Sequence, residues 1–392
     1  MKNKFVFILF AALAILLPLT FHPSLVDMIS EEQTGGVLTP YILIVFALLY
    51  VTTYSSSSFK NKFAKKYTIL YLIMLVLAVG LSFTGSSEML GYECRALLIT
   101  LIAVLIGLQV QLSRKQLVNI LLIYCAFTCF VGLLQIFISG SGFVISQYFA
   151  FQKNALGVLV GSSAVIALGL GLDKNSSKTI RLIGIGLMVL LFVILLTIRA
   201  RAALFSTAFV AVLMFYLSVD GKGFFRAFLI TALAILALLV LMPSSFTTYI
   251  HDSIFFGSAS EDITSGRAER NAVALSFIKE NLLLGYMGDT QKIPTPHNFI
   301  LITWVKYGVI YSIPILLIYL TIIVNVVKHC MITRGISIYR IGYFAMIIPL
   351  IVSLAEYTLP FGPGTVTVIN FILMGFAMRS NCNTEINSSY EV

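Results

Sequence analysis

Residues 182–219 read LIGIGLMVLLFVILLTIRARAALFSTAFVAVLMFYLSV. Two uncharged apolar runs, 182–198 and 202–219, are separated only by Arg199-Ala200-Arg201. Each run approaches the length of a membrane-crossing helix, about 20 residues, and almost no loop joins them. Working outward, the pattern recurs along the chain. Of 392 residues, 59% are apolar and 11% charged, against roughly half and a quarter in a soluble domain. That leaves room for roughly ten to twelve spans. It excludes a soluble enzyme, a secreted disulfide scaffold and a nucleic-acid-binding domain.

Further runs fall near 5–21, 38–54, 67–84, 95–112, 117–139, 154–172, 226–243, 298–326, 341–357 and 364–378. The expectation is one all-α polytopic membrane domain over residues 1–392, with about 12 transmembrane helices and a short polar tail at 380–392. Met1-Lys2-Asn3-Lys4 precedes the first run, and no small-x-small cleavage site follows it; Thr20-Phe21-His22-Pro23 is a poor one. The first helix is therefore read as uncleaved. The run at 298–326 is long and contains Lys306, which predicts a start outside the bilayer.

Charge sets the orientation. With a cytoplasmic amino terminus, the inside segments hold 17 of the 26 basic residues. Every inside loop then carries at least two, and the first outer loop none. Both termini are expected in the cytoplasm. The one long connection, residues 244–296, falls on the outer face. A loop of that length is usually functional or disordered. Within it, Ser265 to Asn281 carries apolar residues at helical spacing, including Ala268, Ala272 and Leu275, among Arg267, Arg270 and Lys279. That predicts an amphipathic helix against the membrane or the bundle.

None of the five cysteines lies in the long loop, so no disulfide framework is expected there. Cys125 and Cys129 read as small core residues. The chain has no Gly-rich nucleotide loop, no His-Glu-x-x-His, no Cys-x-x-Cys and no Asp-x-Asp pair. Glu261-Asp262 reads as a solvated loop. Chemistry that needs no metal, no cofactor and no soluble nucleotide is the expectation.

Three outer-face features remain. Arg199 and Arg201 sit at a membrane–water boundary, either as interfacial anchors or as an anion site. Arg267 and Arg270 are three apart, so on a helix they project to one side. Such a pair suits a diphosphate, or it is simply a solvated face. His297, between Pro296 and Asn298 at the mouth of a helix, can shuttle a proton or serve the structure alone. Pooled on one face, they suggest a lipid-linked diphosphate donor and a hydroxyl acceptor.

At these residues the chain resembles the bacterial O-antigen ligase and polymerase superfamily, and the ligases most. The family motif is His, then Asn, Ser or Gln, nine residues, Gly, two residues, and Gly, Thr or Tyr. His297, Asn298, Gly308 and Tyr311 match it. Arg267 and the run from Lys279 through Leu282, Gly285, Tyr286 and Met287 to Gly288 resemble the family's loop helix and its Gly-Tyr-Gly turn. Met287 is inserted, and Leu282 stands where Pro is common. Arg201-Ala202-Ala203-Leu204 is similar to a family Ser-Arg helix start, with Ala200 replacing the Ser and Arg199 as an extra cation. Residues 151–157, Phe151 to Gly157, resemble an Asn-x-x-Gly helix start. The resemblance spans roughly residues 150–325.

It implies an inverting, metal-independent transfer of a glycan from undecaprenyl diphosphate to a sugar hydroxyl. The acceptor is lipid A–core for a ligase and another lipid-linked repeat unit for a polymerase. Arg201 and Arg267, with Arg199 and Arg270 as further candidates, would hold the diphosphate. His297 would take the acceptor proton or orient that hydroxyl, supported by Asn298, Gly308 and Tyr311. Membrane lipids flank such a site, and the resemblance implies a bacterial inner membrane with the 244–296 loop and the active site in the periplasm. A polysaccharide or lipid transporter is the other class; it favours charges within spans, for which Glu356 is the main candidate.

Overall fold

The computed structural model describes residues 2–22, 38–55, 61–82, 87–138, 153–198, 200–218, 267–286, 296–331, 335–357, 359–362 and 366–388. Among these the secondary structure is entirely helical. In chain order the α-helices are α1 (Lys2–Leu19), α2 (Thr39–Thr53), α3 (Lys62–Ser82), α4 (Ser87–Gln109), α5 (Arg114–Ile138) and α6 (Lys153–Leu172). There follow α7 (Lys178–Ile198), α8 (Arg201–Ser218), α9 (Arg267–Glu280), α10 (Phe299–Met331), α11 (Ile341–Val352) and α12 (Val368–Ser388). Six of them, α3, α5, α6, α7, α8 and α10, are long and apolar enough to cross a membrane. Eleven of the twelve apolar runs fall on helices; the run at 226–243 lies outside the described residues, as do 244–266, Arg199 and residues 389–392.

α6 is the central helix. It is apolar on every side and buried from Ala155 through Gly171, as a helix enclosed by neighbours must be. α7, by contrast, turns Leu182, Val189 and Val193 outward. Such a face suits lipid, where helices associate through close packing and hydrogen bonds rather than a hydrophobic drive. Polar groups tie the interior: Ser163 Oγ donates to Thr128 Oγ1 at 3.0 Å, joining α6 to α5. Asn370 Nδ2 donates to Ser162 Oγ at 2.9 Å, joining α12 to α6. Cys94, Cys125, Cys129 and Cys330 are buried and free, all within helices of this core, in keeping with the small-core reading of Cys125 and Cys129.

The two ends of the helices differ in chemistry. At one end arginines cap chain reversals: Arg114 pairs with Asp173, Arg181 Nε donates to the Gly171 carbonyl at 3.2 Å, Arg340 to His329 and Gly335, and Arg379 to Gln109 and Val110. Cations at helix carboxyl ends meet both unpaired carbonyls and the negative pole of the helix dipole. The opposite end carries the amino termini of α6, α8 and α10, and against it lies α9.

α9 is a helix within Ser265–Asn281 as expected, but its packed face differs from the one read in the sequence: Ala268, Ala272 and Leu275 are exposed, and Ala274 and Ile278 are buried. It rests on α10 through Ala274, Ile278 and Val305, with Phe277, Tyr286, Leu301 and Trp304 around them. Two boundaries differ from the sequence reading, and a lysine within an apolar run finds an acid beside it. α11 stops at Val352 rather than 357; Pro349 lies in its last turn, and residues 353–355 form a tight turn instead. Glu356 therefore sits beyond the helix, not within it. α10 accommodates Lys306 beside Glu93 of α4, which also accepts from Tyr307 Oη at 3.4 Å. An acid on a neighbouring helix thus accompanies the lysine. Finally, the polar stretch after Arg379 continues α12 as helix to Ser388.

Candidate functional site

The site is assembled at the end where α6, α8 and α10 begin. α10 opens with Asn298, whose Oδ1 accepts from the backbone N–H of Ile300 (2.9 Å) and Leu301 (3.1 Å). This is the helix-capping role that Asn suits. Its Nδ2 donates to the Leu354 carbonyl at 3.2 Å. The Phe299 N–H donates to the Ser353 carbonyl at 2.9 Å, and the Tyr319 hydroxyl meets Ser353 Oγ at 2.9 Å. These bonds pin the turn after α11 to the start of α10 and carry Glu356 and Tyr357 up to His297. The Tyr357 ring stands edge-on to the imidazole, with centroids 6.0 Å apart.

Arg267 opens α9 and Arg270 follows one turn later, both toward His297, as their spacing predicted. Arg270 Nη1 lies 2.9 Å from His297 Nε2. Arg267 Nη2 donates to Glu356 Oε1 at 3.3 Å, and His297 Nδ1 stands 3.9 Å from the same oxygen. Asn154, in the first turn of α6, also donates to it. Lys153 acts on Glu356 electrostatically, and Arg201, the first residue of α8, lies within electrostatic reach of Arg267.

α9 is held over this end by a break in α10. Gly308 has φ +58° and ψ −172° inside an otherwise helical run, a conformation essentially confined to glycine. The interruption frees backbone groups, and the turn after α9 takes them. Val309 N–H donates to the Leu282 carbonyl (2.9 Å), Ile310 N–H to Leu283 (3.2 Å), and Tyr286 N–H to Val305 (3.0 Å). Gly285, at φ +65°, faces Gly308 so closely that a Cβ on Gly308 would stand 2.4 Å from the Gly285 nitrogen. A second close approach sets α8. A Cβ on Gly157 would meet the Ala200 methyl at 2.4 Å, so this glycine lets the Arg201 end of α8 lie against α6 beside Lys153 and Asn154.

Among the described residues, then, Arg267 and Lys153 act on one carboxylate, Arg270 bonds the imidazole beside it, and Arg201 lies near Arg267. Burial pushes the Glu356 carboxyl up to about 7, while Arg267 and then Lys153 pull it down. Burial, followed by Arg267 and Arg270, holds His297 below its ordinary value. The imidazole is therefore neutral near pH 7. A guanidinium only donates, so His297 Nε2 accepts from Arg270 and the ring proton belongs on Nδ1, toward Glu356. A cationic cluster with a neutral imidazole and a carboxyl poised near neutrality can bind an anion and exchange a proton.

Of the residues singled out in the sequence, Arg270 bonds His297, Arg267 bonds Glu356 and acts on His297 at electrostatic range, and Arg201 stands behind Arg267. Asn298, Gly308 and Tyr311 serve the framework: a cap, a helix break and a half-buried ring against the core. Arg199 lies outside the described residues, as do Met287, Gly288 and Pro294. In the sequence, Glu356 stood out only as the charge a transporter would use, and Lys153 and Asn154 only as part of a helix-start resemblance; none was placed at this site. The signals were present: an isolated acid closing an apolar run, and a Lys-Asn pair opening another. No protein-family model and no curated protein sequence matches the chain.

Proposed function

We propose that the protein is a membrane glycosyltransferase that moves a glycan from undecaprenyl diphosphate to a sugar hydroxyl, as an O-antigen ligase acting on lipid A–core. The observation that carries this reading is the meeting of Arg267, Arg270 and His297 at one helix end, with Arg201 close behind. These are the residues by which the chain resembles the ligases. The reading includes twelve spans in a bacterial inner membrane, cytoplasmic termini, and α9 with its loop in the periplasm.

The chemistry follows from the groups present. The acceptor oxygen attacks the anomeric carbon as the carbon–oxygen bond to diphosphate breaks. The diphosphate departs with the electron pair, and Arg201 and Arg267 stabilise its growing charge; preorganised cations in a partly desolvated site do this without reorganisation at the moment of reaction. Diphosphate is a good leaving group, so the reading requires neither metal nor nucleotide. His297 and its neighbours meet the acceptor hydroxyl.

The test is the lipopolysaccharide gel profile of a strain lacking the gene. A ligase predicts core without attached O-chain while lipid-linked polymer accumulates. Core capped by single repeat units would instead identify a polymerase, and an unchanged profile would refute both.

A further inference from the structure

Resting on the glycosyl-transfer reading, we propose that Glu356 takes the proton from the acceptor hydroxyl, and that His297 is a positioning residue for it. The case begins with the imidazole. Arg270 donates to Nε2 at 2.9 Å, which engages that lone pair. The remaining nitrogen, Nδ1, then carries the hydrogen, is buried without a hydrogen-bond partner among the described residues, and faces Glu356 Oε1 at 3.9 Å. Neither nitrogen is open to receive a proton. A closure of about 1 Å completes an Nδ1–H···Oε1 bond, and catalytic hydrogen bonds are often long before substrate binds.

Glu356 has the opposite disposition. Its contacts with Arg267, Asn154 and His297 all fall on Oε1 among the described residues, so the carboxylate is fixed by one oxygen and can receive a proton on the other. The groups facing it are Lys153 and Asn154 from α6, Arg267 from α9 and His297 ahead of α10, with Arg201 behind Arg267. A carboxyl at about 7 in these surroundings is a base matched to neutral pH. Arg267 also couples the two halves of the reaction. Its guanidinium holds the base on one edge and has further donors for the diphosphate. Inverting transfer needs base and leaving group on opposite faces of the sugar; in inverting glycosidases the two carboxyls stand about 6.5–9.5 Å apart. In the step itself, the acceptor O–H proton passes to Glu356 as its oxygen bonds to the anomeric carbon. The diphosphate leaves with the electrons of the broken bond.

The experiment is single-turnover transfer by purified enzyme between pH 5.5 and 9, with lipid-linked glycan extracted from the source bacterium as donor. Binding of undecaprenyl diphosphate is measured on the same preparations. For the wild type the rate falls as pH drops through about 7, because the ionised carboxylate is the active form. Glu356→Gln should lower the rate about 10²–10⁴-fold, abolish the acid limb and bind undecaprenyl diphosphate within a few-fold of wild type. Glu356→Asp should keep the limb at a reduced rate, which tests the assignment even if the Gln variant fails to fold. His297→Gln should also keep the limb. An acid limb that survives in Glu356→Gln, is absent in Glu356→Asp or disappears in His297→Gln overturns the assignment while leaving glycosyl transfer standing. No transfer by the wild type overturns the underlying reading.

Discussion

Replacing Gly308 by Ala perturbs a place where the backbone of α10 and the turn at 281–286 that follows α9 are locked together. At φ +58° and ψ −172°, an L side chain is strained by about 1–3 kcal/mol. Its Cβ would also stand 2.4 Å from both the Gly285 nitrogen and the Leu283 carbonyl oxygen. Those are backbone atoms that cannot rotate away, and overpacking of this kind costs about 1–3 kcal/mol. The sum is about 2–6 kcal/mol, or a fall in midpoint of about 4–12 °C at roughly 2 °C per kcal/mol for a chain of this size. The protein supplies its own probe. Trp304 is the sole tryptophan, and it packs in the α9–α10 cluster with Ala274, Ile278 and Val305. Thermal unfolding and emission spectra in detergent should show a lower midpoint and a red-shifted indole. Glycan transfer should fall as Arg267 and Arg270 move with α9. Gly186→Ala is the control, since nothing lies within 4 Å of a Cβ placed there. A Gly308→Ala protein with unchanged emission, midpoint and activity would refute the reasoning.

Arg267→Ala should lower transfer about 10²–10³-fold, the usual consequence of losing an electrostatic stabiliser, and Arg267→Lys should recover only part, because an ammonium lacks the planar fork. Arg267 also pulls the Glu356 carboxyl down, so its loss raises that group further, and the acid limb of the rate profile should move to higher pH. His297→Ala should cost about 10²-fold, the scale of a small misplacement at a reacting centre, with undecaprenyl diphosphate binding retained; loss of expression or thermal stability alongside activity would make the residue structural. Purified enzyme should transfer glycan in excess chelator with no nucleotide added. Activity lost in chelator and restored by Mg²⁺ or Mn²⁺ would reveal a metal requirement.

The helices were legible because their signal is local. An uncharged run such as 182–198 needs no partner to be recognised, and α9 was legible as a helix carrying Arg267 and Arg270 on one side, although the apolar residues that pack it, Ala274 and Ile278, were not the ones its spacing suggested. Arg267 and His297 were legible because family motifs fix their order, and Arg270 because it lies one turn from Arg267. Glu356 was not. Its importance depends on α11 stopping at Val352 and on Ser353 and Leu354 bonding to Phe299 and Asn298, contacts between segments more than 50 residues apart. Lys153 and Asn154 were hidden for the same reason. Gly308 and Tyr311 matched a motif, yet spacing alone gave no hint that one breaks a helix and the other packs in the core.

The central claim is that a lipid-linked diphosphate is the donor, and the most direct measurement follows both products. Purified enzyme, glycan-linked undecaprenyl diphosphate and lipid A–core are mixed, and the free lipid diphosphate and the glycosylated acceptor are quantified together. The account predicts equal amounts of the two, formed by the wild type and strongly reduced in the double variant Arg201→Ala/Arg267→Ala at normal expression. Wild-type activity in that double variant, or glycan transfer without release of undecaprenyl diphosphate, would contradict it.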